Sequence, residues 1–284
     1  MSSQRTALVL GGGGITGIAW EVGLVAGLAE AGLDLRTADL VVGTSAGSVV
    51  GAQLRSDEDT DALFARQLGP PIETGPPARM GRATLLRFGL AMLRTRGDEV
   101  AFRRRVGALS LAAEAAGATP SEAERRAAIA ARLPSPEWPD RPLTVTAVDA
   151  VTGAFETFTR DSGVDLVSAV AASCAVPGVY PPITIGGRRF VDGGMRSGAN
   201  VDLATGYDRV VVVAPFLRGF GPMASVDAQV TSLVSRVAVV SPDRDSLAAI
   251  GRNVLDPAAR EPSARAGRAQ AASVVDAVRE VWAG

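Results

Sequence analysis

Gly43-Thr44-Ser45-Ala46-Gly47 is the first place in the chain where chemistry could be done. A G-x-S-x-G run between an apolar strand and a helix sets its serine on a sharp turn, with the hydroxyl projecting outward. Gly43 and Gly47 keep neighbouring chain from clashing there, and the N–H of Ala46 points toward the same space. The helix that follows presents its positive end to developing negative charge. The chemistry this suits is attack by the Ser45 hydroxyl on an acyl carbon. The bland alternative is an ordinary turn with Ser45 as a helix cap.

A serine hydroxyl needs a base. The chain has no histidine, so a Ser-His-Asp triad, a Cys-His pair, an HExxH zinc site and a His-ligated haem are all excluded. Every one of its 29 Lys+Arg residues is an arginine. Schiff-base lysines, Ser-Lys dyads and a Walker-A lysine are therefore excluded too. A carboxylate must do the work, directly or through water. Asp192 is the best placed: it ends an apolar strand, Arg188–Val191, and Gly193 and Gly194 let the backbone turn closely behind it. Burial beside a hydroxyl would raise its proton affinity above the ordinary value of about 3.9. Glu21, Asp149, Asp161 and Asp202 compete, and a turn aspartate capping a loop is the plain alternative for Asp192.

The third motif is Gly12-Gly13-Gly14-Ile15-Thr16-Gly17, after the strand Thr6–Leu10. Read as G-x-G-x-x-G, it would bind a dinucleotide and want an acid ending the next strand. Asp34 and Asp39 are near that distance, but neither ends a convincing strand. Read as a backbone anion hole, its exposed amides would hold an oxyanion or a phosphate. A tight strand-to-helix turn is the third reading.

Strand, glycine turn and helix occur twice in the first 54 residues, the rhythm of a parallel sheet with helices on its faces. Gly32 marks the end of the first helix. Residues 57–140 read as helices joined by loops, broken by Pro70-Pro71, Pro76-Pro77, Pro120, Pro134 and Pro136. Strands return at Leu143–Val148, Phe155–Phe158, Arg209–Val213 and Val237–Val240, with a helix from about Asp165 to Ala175 and a terminal one over Arg265–Trp282. Hydrophobic residues make up 47% but aromatics only 5%, so the core is built of Ala, Val and Leu. One domain over residues 1–284 is expected, with a helical cap insertion at about 57–140.

With 29 Lys+Arg against 30 Asp+Glu, the near-neutral charge argues against nucleic acid as a partner. One cysteine, Cys174, allows no internal disulfide and reads as a small buried apolar residue. The apolar run Ala7–Leu10 is too short for a signal-peptide core, and no stretch of about 18 apolar residues exists to span a bilayer. The expectation is a cytoplasmic protein. Between Arg79 and Gly107, Arg79, Arg82, Arg87, Arg94, Arg96, Arg103, Arg104 and Arg105 face only Asp98 and Glu99, with Met80, Leu85, Leu86, Phe88, Leu90, Met92 and Leu93 interleaved. Such a stretch suits peripheral contact with an anionic membrane. A helix pair burying its apolar side, with solvated arginines outside, explains it slightly better.

The ordered set of motifs resembles the patatin-like phospholipases. G-G-G-x-x-G is followed by G-T-S-A-G, by Ala171-Ala172-Ser173-Cys174-Ala175-Val176-Pro177, by Tyr180-Pro181-Pro182, and by Phe190-Val191-Asp192-Gly193-Gly194. The resemblance covers roughly residues 5–215. It implies a three-layer α/β/α fold with a mainly parallel sheet and a Ser-Asp dyad that hydrolyses acyl esters of lipids. Carried over, Ser45 is the nucleophile, Asp192 the general base, and the amides of Gly12, Gly13 and Gly14 the oxyanion hole. Gly17, Gly43, Ala46, Gly47, Gly193 and Gly194 support the motifs. No cofactor or metal is implied. Thr16 stands where the family usually has Lys or Arg, which puts the preference for a phospholipid head group in question more than the ester chemistry. Transfer of the acyl group to an alcohol, or general carboxylesterase activity, would use the same dyad. A dinucleotide-binding oxidoreductase would leave Ser45 and Asp192 unexplained.

Overall fold

The computed structural model describes residues 4–70, 78, 81–219 and 221–283, the side chains of residues 82–85 excepted. Pro71, Pro76, Pro77, Arg79 and Met80 lie outside the described residues, as do the side chains of Arg82 and Leu85. The strands are β1 (Thr6–Leu10), β2 (Leu40–Gly43), β3 (Leu143–Asp149), β4 (Phe155–Phe158), β5 (Ile183–Ile185), β6 (Arg188–Asp192), β7 (Arg209–Val213) and β8 (Arg236–Val240). The helices are α1 (Gly14–Glu30), α2 (Ala46–Leu54), α3 (Thr60–Leu68), α4 (Arg82–Thr95), α5 (Glu99–Ala115), α6 (Glu122–Ala130), α7 (Leu166–Ser173), α8 (Val226–Thr231), α9 (Arg244–Ile250) and α10 (Arg260–Trp282).

Hydrogen-bonded neighbours run β5-β6-β3-β2-β1-β7-β8, with β4 also paired to β3. The pairs β3–β2, β2–β1, β1–β7 and β7–β8 are parallel. The antiparallel pairs, β3–β4, β3–β6 and β5–β6, cluster at one end. Side-chain alternation sorts the strands onto two faces. Leu8, Leu10, Val41, Val145, Ala147, Val211 and Val213 join one core with Trp20, Leu24 and Leu28 of α1 and with α2, α7 and α10. Ala7, Val9, Val42, Val210 and Val212 face the other way, onto Val201, Ala204 and Val226. Val148, Ala150 and Val191 meet Leu111 of α5. The sheet is thus covered on both sides, in three layers. Between β2 and β3, α3 packs on α1 and α10, α6 on α7, α5 on β3 and β6, and α4 on α5.

The register of β3 places the site. β2 pairs with residues 143–145 of β3 and β6 with residues 147–149. Val41 N–H bonds Pro142 O, Ala150 N–H bonds Arg189 O, and Asp149 N–H bonds Ala154 O at the start of β4. Successive residues of a strand bond to opposite edges. Pro142 and Ala150 therefore mark one edge and Asp149 the other. β2 and β6 meet end to end along a single edge of β3, and the chain just past β2 runs into the last residue of β6.

Two differences from the sequence reading have simple causes. α10 begins at Arg260, five residues earlier than the pattern suggests, because Pro262 lies in its first turn, where a missing N–H has no helical acceptor to lose. The short α8 and α9 are started by Ser225 and Asp243, whose side chains accept the Ala228 and Ser246 N–H groups. Neither helix is long enough to show a period.

α1 and α10 cross at glycines. A Cβ on Gly23 would stand 2.0 Å from Ala264 O, and one on Gly267 would stand 2.2 Å from Trp20 O. Intrinsic propensity alone would make Gly23→Ala stabilising by about 1 kcal/mol. The contact reverses the sign, so the variant should lose about 2 kcal/mol by forcing the helices apart. Urea unfolding checks this, and a gain in stability would refute the close crossing.

Candidate active site

Ser45 is the residue before α2, held at φ 51 and ψ −115. That is a left-handed value no β-carbon welcomes, and such strain costs on the order of 1–3 kcal/mol. The surroundings enforce it. A Cβ on Gly47 would lie 2.2 Å from Leu10 O, and one on Gly43 would lie 2.5 Å from Gly47 O. The Ser45 side chain makes no capping bond to α2. Its Oγ donates instead to Asp192 Oδ2 at 2.7 Å. The helix-cap alternative fails on that bond.

Asp192 sits at the end of β6, and its Oδ1 accepts the Gly194 N–H at 2.7 Å. Gly193 passes so close to β3 that a Cβ would lie 2.6 Å from Thr146 O. The dyad is enclosed: Ser45 is 8% exposed and Asp192 3%. Burial pushes the Asp192 carboxyl up to about 6, against the lowering effects of the Ser45 hydroxyl, the Gly194 N–H and the Arg125 charge. A carboxyl that titrates near neutrality results, without histidine.

The competing carboxylates are elsewhere. Asp149 accepts the Val151 and Thr152 N–H groups and pairs with Arg188. Asp202 pairs with Arg196. Asp161 is exposed in a short 3-10 turn. Glu21 lies wholly buried within α1, where burial raises its carboxyl pKa against the lowering effect of the Gly11 backbone.

The glycine loop holds unequal amides. Gly12 N–H donates to Gly198 O at 2.7 Å. This corrects its assignment to the oxyanion hole: the loop after β1 runs against Gly198, and the amide is already committed. Gly13 and Gly14 N–H, and that of Ala46, make no hydrogen bond among the described residues. Gly14 needs to be glycine, with φ at +64 and Val254 O 2.6 Å from where a Cβ would be. The Ser45 N–H is taken by Ser173 Oγ at 2.9 Å. The dinucleotide reading is also corrected. β2 ends at Gly43, not at an acid, Asp39 accepts the Thr6 N–H before the strand begins, and Asp34 caps the turn Leu35–Thr37.

Several site residues escaped the sequence reading. Ser173, at the end of α7, holds the Ser45 backbone through its hydroxyl. Cys174 is buried, as expected, but its Sγ also donates to Ser45 O at 3.2 Å. Asn200, at φ 54, donates from Nδ2 to Thr44 Oγ1 at 3.0 Å and so braces the residue before the serine. Thr16 is fully buried, its N–H and Oγ1 both donating to Val254 O. Two cations reach the site from elsewhere: Arg125 of α6 and Arg132 of the turn after it line the pocket onto which Ser45 opens, with Gly14, Ile15, Tyr180 and Leu255. Arg125 is 4% exposed. Its Nη2 donates to Cys174 O at 3.0 Å, and its guanidinium lies 3.6 Å over the Tyr180 ring. The pocket, about 20 Å³, holds little more than one water.

Fold and site together define a three-layer α/β protein with a serine–aspartate pair beside a glycine loop. The chain belongs to the patatin-like phospholipase family, whose model matches residues 8–205. It is 28% identical over 243 residues to an uncharacterised NTE family protein of Mycobacterium tuberculosis, covering 81% of this chain and 54% of the relative. It is 41% identical over 66 residues to the lysophospholipase nte1 of Aspergillus oryzae, covering 23% of this chain and 4% of that one. The chain thus spans about half of the mycobacterial relative and a small fraction of the fungal one. Among solved structures, VipD from Legionella pneumophila superposes with a TM-score of 0.48 at 12% identity, over 96% of this chain and 67% of that one.

Proposed function

We propose that this chain is a serine acyl hydrolase that cleaves fatty-acyl esters of lipids, phospholipids among them, through a Ser45–Asp192 dyad and an acyl-enzyme. The observation that carries this reading is the 2.7 Å bond from Ser45 Oγ to Asp192 Oδ2 at a strained elbow. Family membership supports the lipid ester as substrate, and the name of the fungal relative points the same way.

In the first step Ser45 Oγ attacks the acyl carbonyl while its proton passes to Asp192 Oδ2. The Gly13, Gly14 and Ala46 N–H groups hold the resulting oxyanion. Collapse breaks the ester C–O bond, and the proton on Asp192 goes to the departing alkoxide. In the second step water gives a proton to Asp192 and attacks the acyl-serine. The fatty acid leaves, and Ser45 Oγ regains its proton from Asp192. Peripheral contact with an anionic membrane through the basic 79–107 stretch belongs to the same reading.

A fluorophosphonate probe should label the wild type at Ser45 and leave Ser45→Ala unlabelled. Labelling at another residue would overturn the assignment. Gly14→Ala should lower kcat on a soluble ester about 10²–10³-fold, since one oxyanion donor is displaced. A changed KM with kcat intact would mean that this amide does not serve the transition state.

A further inference from the structure

We infer that the outward side of α4 is a docking face for an anionic lipid bilayer. Its choice of partner rests on the lipid-ester reading above. At about 100° of rotation per residue, Leu86, Leu90 and Leu93 fall in one narrow stripe. They are 66%, 40% and 77% exposed. The opposite side of the helix is already occupied: Phe88, Ala91 and Met92 pack with Phe102, Val106, Met195 and Met223. α4 therefore has two apolar sides, and only one of them serves the fold. The sequence pattern could not separate the two, because the leucines and the packed residues interleave.

Charge complementarity selects the occupant. Arg87 and Arg94 flank the stripe along one side of α4, both exposed and with no ion pair among the described residues. An apolar centre with a cationic border suits the boundary between acyl chains and anionic head groups. Arg103, by contrast, is buried, and its Nε donates to Gly153 O at 2.8 Å. It belongs to the fold and not to this face.

The face also lies beside the catalytic loops. Met195, which shares one apolar cluster with α4 and α5, is three residues past Asp192. Met92 lies against Gly221, in the loop after β7. That loop also carries Phe216, which is 41% exposed. A bilayer seated on α4 would lie over the segments that follow β6 and β7.

The test is co-sedimentation with vesicles of phosphatidylcholine, with and without phosphatidylglycerol, alongside turnover of a soluble p-nitrophenyl ester. Wild type should pellet with the phosphatidylglycerol vesicles and be released by salt. The double variant Leu86→Asp/Leu93→Asp should lose at least tenfold in vesicle affinity. Arg87→Glu/Arg94→Glu should lose at least fivefold per arginine, in line with a cation near an anionic surface. Ester turnover and the melting temperature should be unchanged in both, because the altered side chains are solvent-facing. Variants that pellet like wild type would overturn the proposal. So would a wild type that ignores the vesicles, including one that instead pairs with itself through this face. Loss of ester turnover in the wild type would sink the hydrolase reading, while the vesicle result would still judge the face.

Discussion

Ser45→Ala is expected to lower kcat on an acyl ester by about 10⁴-fold or more, the scale at which nucleophiles in such dyads and triads act. Asp192→Asn should cost a comparable factor, because the hydroxyl then faces a group that cannot take its proton. The two variants should part company in stability. The Asp192 carboxyl moves from its ordinary 3.8 up to about 6 in the folded protein, chiefly through burial. A carboxyl raised on folding supports the fold only while protonated. Its contribution is whole below pH 4 and is lost as the pH climbs through about 6. At 1.36 kcal/mol per pH unit, the ionised form costs the fold about 3 kcal/mol at pH 8. Asp192→Asn removes that charge, so it should be more stable than wild type at pH 8 by about 1–3 kcal/mol and no more stable at pH 3.5. Urea unfolding at the two pH values decides. An inactive variant that is also less stable at pH 8 would mean that the carboxylate is not desolvated as the structure has it.

What the sequence could and could not show follows from where each signal is stored. Ser45 and Asp192 stood out as candidates because they are polar exceptions in apolar surroundings: Ser45 between strand and helix, Asp192 at the end of a strand, each beside glycines forced by close backbone contacts. β1, β2, β7 and β8 were legible as apolar runs. The contact between Ser45 and Asp192 was not, because it depends on β2 and β6 sharing one edge of β3, a matter of register. Gly12 could not be told from Gly13 and Gly14, since the difference is one bond to Gly198, remote in the chain. Arg125 looked like any arginine of a solvated helix. Only the packing of α6 on α7 lays it over Tyr180 and beside the serine. α4 misled in a different way, because both of its sides are apolar and one amphipathic pattern cannot describe two.

The activity–pH profile should show an acid limb near pH 6, with kcat/KM falling about tenfold for each unit below it. Because the chain has no histidine, a limb there has few possible owners. Asp192 is the carboxyl that burial moves to about 6, and its ionised form is the one that can accept the Ser45 proton. Glu21 is the other buried carboxyl with a raised pKa, and the backbone that acts on it is that of Gly11, with neither Ser45 nor Asp192 among its causes. Glu21→Gln should leave the limb in place. Arg125 acts in the opposite sense to burial, since its charge favours the Asp192 carboxylate. Removing that charge in Arg125→Gln should therefore move the limb to higher pH, and Arg125→Lys should hold it near the wild-type position. A purely structural loss would lower the plateau without moving the limb, so position and height report different things. A limb that stays fixed in Arg125→Gln would show that this cation does not act on the base. A limb that moves in Glu21→Gln would hand the titration to a group the geometry keeps away from the serine.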